Sequence, residues 1–158
     1  MKSSRKLLFS LLAAVCLVGC GFQDGEYTAQ TAGPDSLGYR ASLSVTVANG
    51  KITDAQFDAA NEAGGLKSED ADYERLMKPV CGVTPKEISD HYRALLLDKK
   101  SFGRVKVDAI SGATVSSREF AQLWQALKEP LAKGEEHLVV LPPSPEFPLP
   151  ESTPAENE

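Results

Sequence analysis

The stretch YRASLSVTVANGKITDAQF, Tyr39 to Phe57, decides the fold. Tyr39, Ala41, Leu43, Val45 and Val47 alternate with Arg40, Ser42, Ser44, Thr46 and Ala48. Successive side chains of a strand point to opposite faces, so this alternation reads as a strand with one face in a core and the other in water. Asn49-Gly50 follows, a pair that tolerates the positive φ angles of a two-residue hairpin turn, and Lys51 to Phe57 reads as the returning strand. Upstream, Gly25 to Ala32 (GEYTAQTA) reads as an earlier strand closed by Gly33-Pro34. Together these predict an antiparallel meander.

Downstream the period changes. Asp58 to Ser68 is polar and holds Gly64-Gly65, which reads as a loop, and a short helix is predicted over Glu69 to Lys78 with Tyr73, Leu76 and Met77 on one face. Thr84-Pro85-Lys86-Glu87 is a helix start: the Thr caps, the Pro takes the first helical position, and the Glu reaches back to the cap. Ile88, Tyr92, Leu95 and Leu96 then fall on one helical face. Arg104 to Val107 predicts a short strand. Ser116-Ser117-Arg118-Glu119 has the form of a second capping box, followed by the apolar stripe Phe120, Leu123, Trp124, Leu127 and Leu131, with Pro130 and Gly134 ending the helix. His137 to Leu141 predicts an edge strand. Strands, then helices, then at most two strands predict an α+β fold, with an antiparallel sheet packed against helices.

The ends of the 158-residue chain differ from its middle. Lys2, Arg5 and Lys6 precede an apolar run, Leu7 to Val18, interrupted only by Ser10. This is the pattern of a secretory signal, and no stretch reaches the roughly 18 apolar residues that a spanning helix needs. The run ends in Leu17-Val18-Gly19-Cys20, which resembles the lipobox of bacterial lipoproteins. That resemblance implies cleavage before Cys20 and a diacylglyceryl thioether on its sulfur, two acyl chains being enough for stable anchoring. The implied location is the cell membrane or outer membrane, facing outside the cytoplasm. An ordinary signal peptide with a coincidental cysteine is the alternative. At the other end, residues 142–158 contain six Pro and four Glu, the composition of a disordered appendage. The expected organisation is a signal peptide over 1–19, one domain over 20–141 and a tail over 142–158.

Removing residues 1–19 takes the net charge from −5 to −8, divided evenly between domain and tail. An acidic chain stripped of its basic cluster argues against a nucleic-acid partner. Cys81 is then the single cysteine of the domain. It has no internal disulfide partner and no C-x-x-C arrangement, and is expected as a small buried hydrophobe. His91 and His137 lack companions at any metal-ligand spacing, so no metal site is expected.

Chemistry concentrates in Asp108-Ala109-Ile110-Ser111-Gly112-Ala113-Thr114-Val115-Ser116-Ser117. Physically this is a turn of small residues delivering a hydroxyl to a helix start. Gly112 permits positive φ or close backbone approach, and Ala113 leaves room for a bulky group. Thr114 is placed two residues before the expected cap, where free N–H groups and the helix dipole favour a phosphate.

Asp-x-x-Ser-Gly-Ala-Thr resembles the flavinylation motif of FMN-binding domains, found in the C subunit of the sodium-pumping NADH:quinone reductase, the Rnf G subunit and free-standing flavoproteins of extracellular electron transfer. Gly25-x-Tyr27 and the Asn49-Gly50-Lys51-Ile52 hairpin extend the resemblance over most of residues 24–133; Ala109 stands where the motif often has Gly. The resemblance implies a flavin transferase that takes FMN from FAD and esterifies it to Thr114, with Asp108, Ser111, Gly112 and Ala113 as the recognised motif. It implies an electron carrier or redox subunit rather than a free-standing enzyme, with membrane redox partners. Only Gly21 to Gln23 separate Cys20 from the start of the resemblance, which holds the domain near the bilayer and suggests membrane-embedded or neighbouring partners. The alternative is a small-molecule-binding or structural lipoprotein whose Ser-Gly-Ala-Thr turn only caps a helix. Gly64-Gly65-Leu66-Lys67-Ser68 reads as a surface loop rather than a phosphate loop, and Tyr73, Met77 and Trp124 read as core rather than flavin wall.

Overall fold

Val45 shows how the sheet is built. On the computed structural model, which describes residues 21–98, 105–135 and 138–142, it faces Tyr27 on one neighbouring strand and Ala55 on the other. Two residues earlier, Leu43 faces Ala29 and Phe57. All six are buried, so one sheet face is a continuous apolar row. On the opposite face the Thr28 and Ser44 hydroxyls meet at 3.1 Å. The strands are β1 (Gly25–Thr31), β2 (Arg40–Ala48) and β3 (Lys51–Ala60). Asn49 and Gly50 take φ of 54° and 70°, the doubly positive turn that suits the twist of a hairpin. A bulge pairs Val47 with Ile52, so that Thr53 is the extra residue.

The helices follow: α1 (Ala71–Cys81), preceded by a 3-10 turn at Lys67–Glu69, then α2 (Pro85–Leu97) and α3 (Thr114–Lys133). The last strand, β4 (Leu138–Leu141), runs parallel to β1 and completes the order β3-β2-β1-β4. This is the expected α+β fold, mostly antiparallel. Helices α2 and α3 pack on the apolar face, the first against β3 and the second against β1 and β2. Tyr92 of α2 stacks on Phe120 of α3 at 3.9 Å, and Phe57 meets both rings edge-on. The box at Thr84 forms as read: the Glu87 N–H donates to Thr84 Oγ1 at 3.1 Å, and the Thr84 N–H donates to Glu87 Oε2 at 2.7 Å.

Three expectations are corrected. The second capping box does not form, because α3 begins at Thr114 with Ala113 as a cap that supplies no side-chain bond. Ser117 Oγ instead accepts from the Ile110 N–H at 3.0 Å and donates to the Ala113 carbonyl at 2.8 Å. These bonds tie the helix back to its own loop, and its cap falls three residues before Ser116. Residues 105–110 form no strand. Finally, α1 runs on through Pro79 to Cys81 and buries none of its residues, with Leu76 68% exposed. Its Tyr73, Leu76 and Met77 are therefore not a core face.

The chain enters beside the far end of α3, where the Gln23 N–H donates to the Leu131 carbonyl at 2.8 Å and Gly134 packs on the Gln23 side chain. Twenty helical residues at about 1.5 Å each put Thr114 about 30 Å from that end. No helix among the described residues is long and apolar enough to cross a membrane. The expected signal segment, Cys20, His137 and all but the first residue of the tail lie outside the described residues.

Candidate cofactor site

Gly112 sits at φ +81°, and a Cβ built there would lie 1.9 Å from the Cys81 carbonyl oxygen. The motif loop therefore rests directly on the last turn of α1, an approach only glycine permits. The Ala113 N–H donates to the Ile110 carbonyl at 3.0 Å, and the Ala113 side chain is buried. With the two Ser117 bonds, this fixes Thr114 as the first residue of α3, with its side chain exposed. The first N–H groups of any helix lack intrahelical partners and carry its positive dipole end. With no side-chain cap at Ala113, those groups and the Thr114 hydroxyl share one place.

That place opens on a cavity of about 420 Å³, within the usual range for a ligand site. Gly112 to Ser116 form one wall; Tyr73, Met77 and Cys81 of α1 form another; Val83 and Ile88 add apolar surface. Lys67 closes the far side. Its Nζ donates to Asp35 Oδ2 at 3.2 Å and lies 4.7 Å and 5.2 Å from the Tyr73 and Tyr39 ring centres. The Tyr39 hydroxyl donates to Asp70, whose other oxygen caps α1 by accepting from the Tyr73 N–H. That shared bond raises the Tyr39 phenol and holds the Asp70 carboxyl below the usual carboxylate range. The pairs brace the Asp35–Tyr39 loop, the 3-10 turn and α1 around the cavity.

Of the expected site residues, Gly112, Ala113 and Thr114 line the cavity. Ser111 is exposed in the turn, and Asp108 is exposed and paired with Lys106 at 3.0 Å; neither lines the cavity. Tyr73 and Met77, read as core, are cavity wall, because α1 lies outside the core. Trp124 is core as read, 3% exposed and edge-on to Phe22. Cys81 is half-buried at the wall rather than fully buried. Gly64-Gly65 is a turn closed by Asn61, although Lys67 just beyond it reaches the cavity. His91 is exposed against the edge of Tyr92. No group of three metal-ligating side chains occurs among the described residues.

The sequence reading missed Glu119. It is 8% exposed, and burial pushes its carboxyl up to about 7, against the pull of Lys67 and with a push from Asp35. Its spacing held the signal: Glu119 lies four residues before Leu123, on the buried stripe of α3, where a capping acid would not sit.

The family model of the FMN-binding domain matches residues 38–128, from just before β2 into α3 and so across the cavity and the motif turn. This chain belongs to the FMN-binding domain family. Among its relatives, the 15 kDa lipoprotein of Treponema pallidum (strain Nichols) is 34% identical over 135 residues, covering 84% of this chain and 94% of that one. The crystal structure of CPE2226 protein from Clostridium perfringens superposes with a TM-score of 0.70 at 35% identity, covering 78% of this chain and 99% of that one. The residues present fit an FMN. A hydroxyl and helix amides stand where a phosphate is favoured, and Tyr73, Met77 and Ile88 offer flat apolar surface within the same cavity.

Proposed function

We propose that the mature chain is a lipid-anchored electron-transfer flavoprotein outside the cytoplasm, with FMN in phosphodiester linkage to Thr114. The observation that carries this reading is the placement of Thr114: an exposed hydroxyl at the uncapped, positive end of a 20-residue helix, opening on a cavity of about 420 Å³. In the attachment step, Thr114 Oγ bonds to the FMN-side phosphorus of FAD, the phosphoanhydride breaks, AMP leaves and the hydroxyl proton is released. A flavin transferase is the implied partner. Exposure of Asp108 and Ser111 supports their role as residues that such an enzyme reads from outside. The helix amides hold the remaining phosphodiester charge. Gly112 lets α1 close against the loop, and Ala113 keeps the entrance clear. When bound, the flavin supplies one- and two-electron chemistry.

Cys20 is the proposed lipid site, after removal of residues 1–19, and the lipoprotein relative supports it. Because Gln23 lies at the opposite end of α3 from Thr114, the redox partners we propose meet a pole about 30 Å beyond the anchored end. They are membrane proteins with outward-reaching domains, or neighbouring carriers. The reading in which the Ser-Gly-Ala-Thr turn only caps a helix is disfavoured, since none of its side chains caps α3. The test is co-expression with a flavin transferase. The purified protein is expected to keep flavin fluorescence on a denaturing gel and to lose it in Thr114→Ala; colourless, correctly processed wild-type protein would sink the reading.

A further inference from the structure

Glu119 lies five residues beyond Thr114 on α3, about 7.5 Å farther along its axis. Its side chain lines a narrow recess that shares Lys67, Pro85, Ile88 and Ser116 with the main cavity. The recess therefore adjoins the main cavity across these four residues. At about 20 Å³ it is too small for a ring but roomy enough for a single water.

The groups facing Glu119 come from every element around it. Lys67 arrives from the 3-10 turn and Asp35 from the loop after β1, while Asp58 of β3 accepts from the Ser68 N–H and hydroxyl. Helix α2 contributes Pro85 and Ile88, which are uncharged, and α3 itself contributes Ser116. One ammonium therefore stands among three carboxyl groups, and it is already committed to Asp35 at 3.2 Å. A buried carboxylate in that company keeps its charge only at a cost.

We infer that Glu119, with Lys67 beside it, is a proton-exchange group for the flavin site: its carboxylate takes up one proton when electrons enter the cavity and releases it when they leave. The inference rests on the flavin reading above. The electrons come from an external donor, in the assay an electrode acting through a soluble mediator. The bond formed is O–H on Glu119, the bond broken is an O–H of hydronium, and no bond between Glu119 and the flavin is made or broken. Burial already sets the carboxyl near neutrality. A unit of negative charge entering the neighbouring cavity raises such a carboxyl further and moves a half-ionised group toward its protonated form.

The experiment uses the mature, flavin-loaded protein. Midpoint potential is followed from pH 5 to about pH 9, together with the reduced-minus-oxidised infrared difference spectrum after labelling glutamate with carbon-13. Wild type is expected to show a break near neutrality beyond the flavin's own protonation, and an isotope-sensitive carboxylic-acid band on reduction. Glu119→Gln should lose both, and Glu119→Asp should restore a break at a displaced pH. An unchanged potential curve in Glu119→Gln, or a wild-type spectrum without the band, overturns the inference. If Glu119→Gln does not load flavin, the wild-type infrared band alone decides. Colourless Thr114→Ala protein supplies a separate readout: its Glu119 carboxyl should still titrate near neutrality by carbon-13 NMR. A titration in the ordinary carboxylate range refutes the proton role, whereas colourless wild-type protein refutes the flavin reading instead.

Discussion

Replacing Gly112 by alanine combines two penalties. At φ +81° a β-carbon costs about 1–2 kcal/mol in backbone conformation. The same β-carbon would stand 1.9 Å from the Cys81 carbonyl oxygen and 2.9 Å from its carbon. Ordinary contact is near 3.5 Å, so the loop and the end of α1 must separate by roughly 1.5 Å. Overpacking against a fixed backbone adds about 1–3 kcal/mol. The expected total is about 3 kcal/mol. Gly64 is the control: its φ is +84°, but nothing lies within 4 Å of the added carbon, so Gly64→Ala should cost only about 1 kcal/mol. Urea unfolding of both variants, compared at constant m-value, measures the difference. Flavin loading should also fall in Gly112→Ala, because separating α1 moves Tyr73 and Met77 from the cavity wall. Equal losses for the two variants would refute the claim that the motif glycine is required by α1.

Other predictions concern the frame around the site. Glu119→Gln should stabilise the apo protein at pH 8 by up to about 3 kcal/mol, because a carboxyl near 7 in the fold binds protons more tightly than in the unfolded chain. The sign makes wild-type stability fall as pH rises from about 4.5 to about 7, so the two proteins should converge below pH 4.5 in urea melts. Thr84→Ala removes a buried reciprocal cap and should lower stability by about 1–2 kcal/mol, with flavin loading retained. A chain ending at Pro142 should keep both its flavin and its urea midpoint; loss of either would make the tail part of the domain.

The hairpin and the two core helices were legible because each rests on local chemistry. Alternation fixes which side of β2 is inside, Asn49-Gly50 tolerates the turn, and Thr84 with Glu87 forms a reciprocal cap. The motif was legible as a hydroxyl at a helix start. Its exact placement was not, because the local pattern favours Ser116 as a cap on the amides ahead, whereas the fold uses the neighbouring Ser117 hydroxyl on the loop behind. The same misreading hid Glu119, which a capping box would turn to solvent and the actual helix phase turns inward. The cavity itself was out of reach of any local pattern. It arises because α1 stands off the core, and because Asp35, Lys67, Tyr39 and Tyr73, far apart in sequence, meet through one ammonium.

The most direct test of the central claim is peptide mapping of protein purified from cells that contain a flavin transferase. Trypsin cutting after Lys106 and Arg118 releases residues 107–118, a peptide holding Ser111, Thr114, Ser116 and Ser117. Fragmentation is expected to place one FMN, joined through its phosphate, on Thr114 alone. An unmodified peptide, or a flavin on any of the three serines, would contradict the assignment of Thr114 as the attachment point at the head of α3.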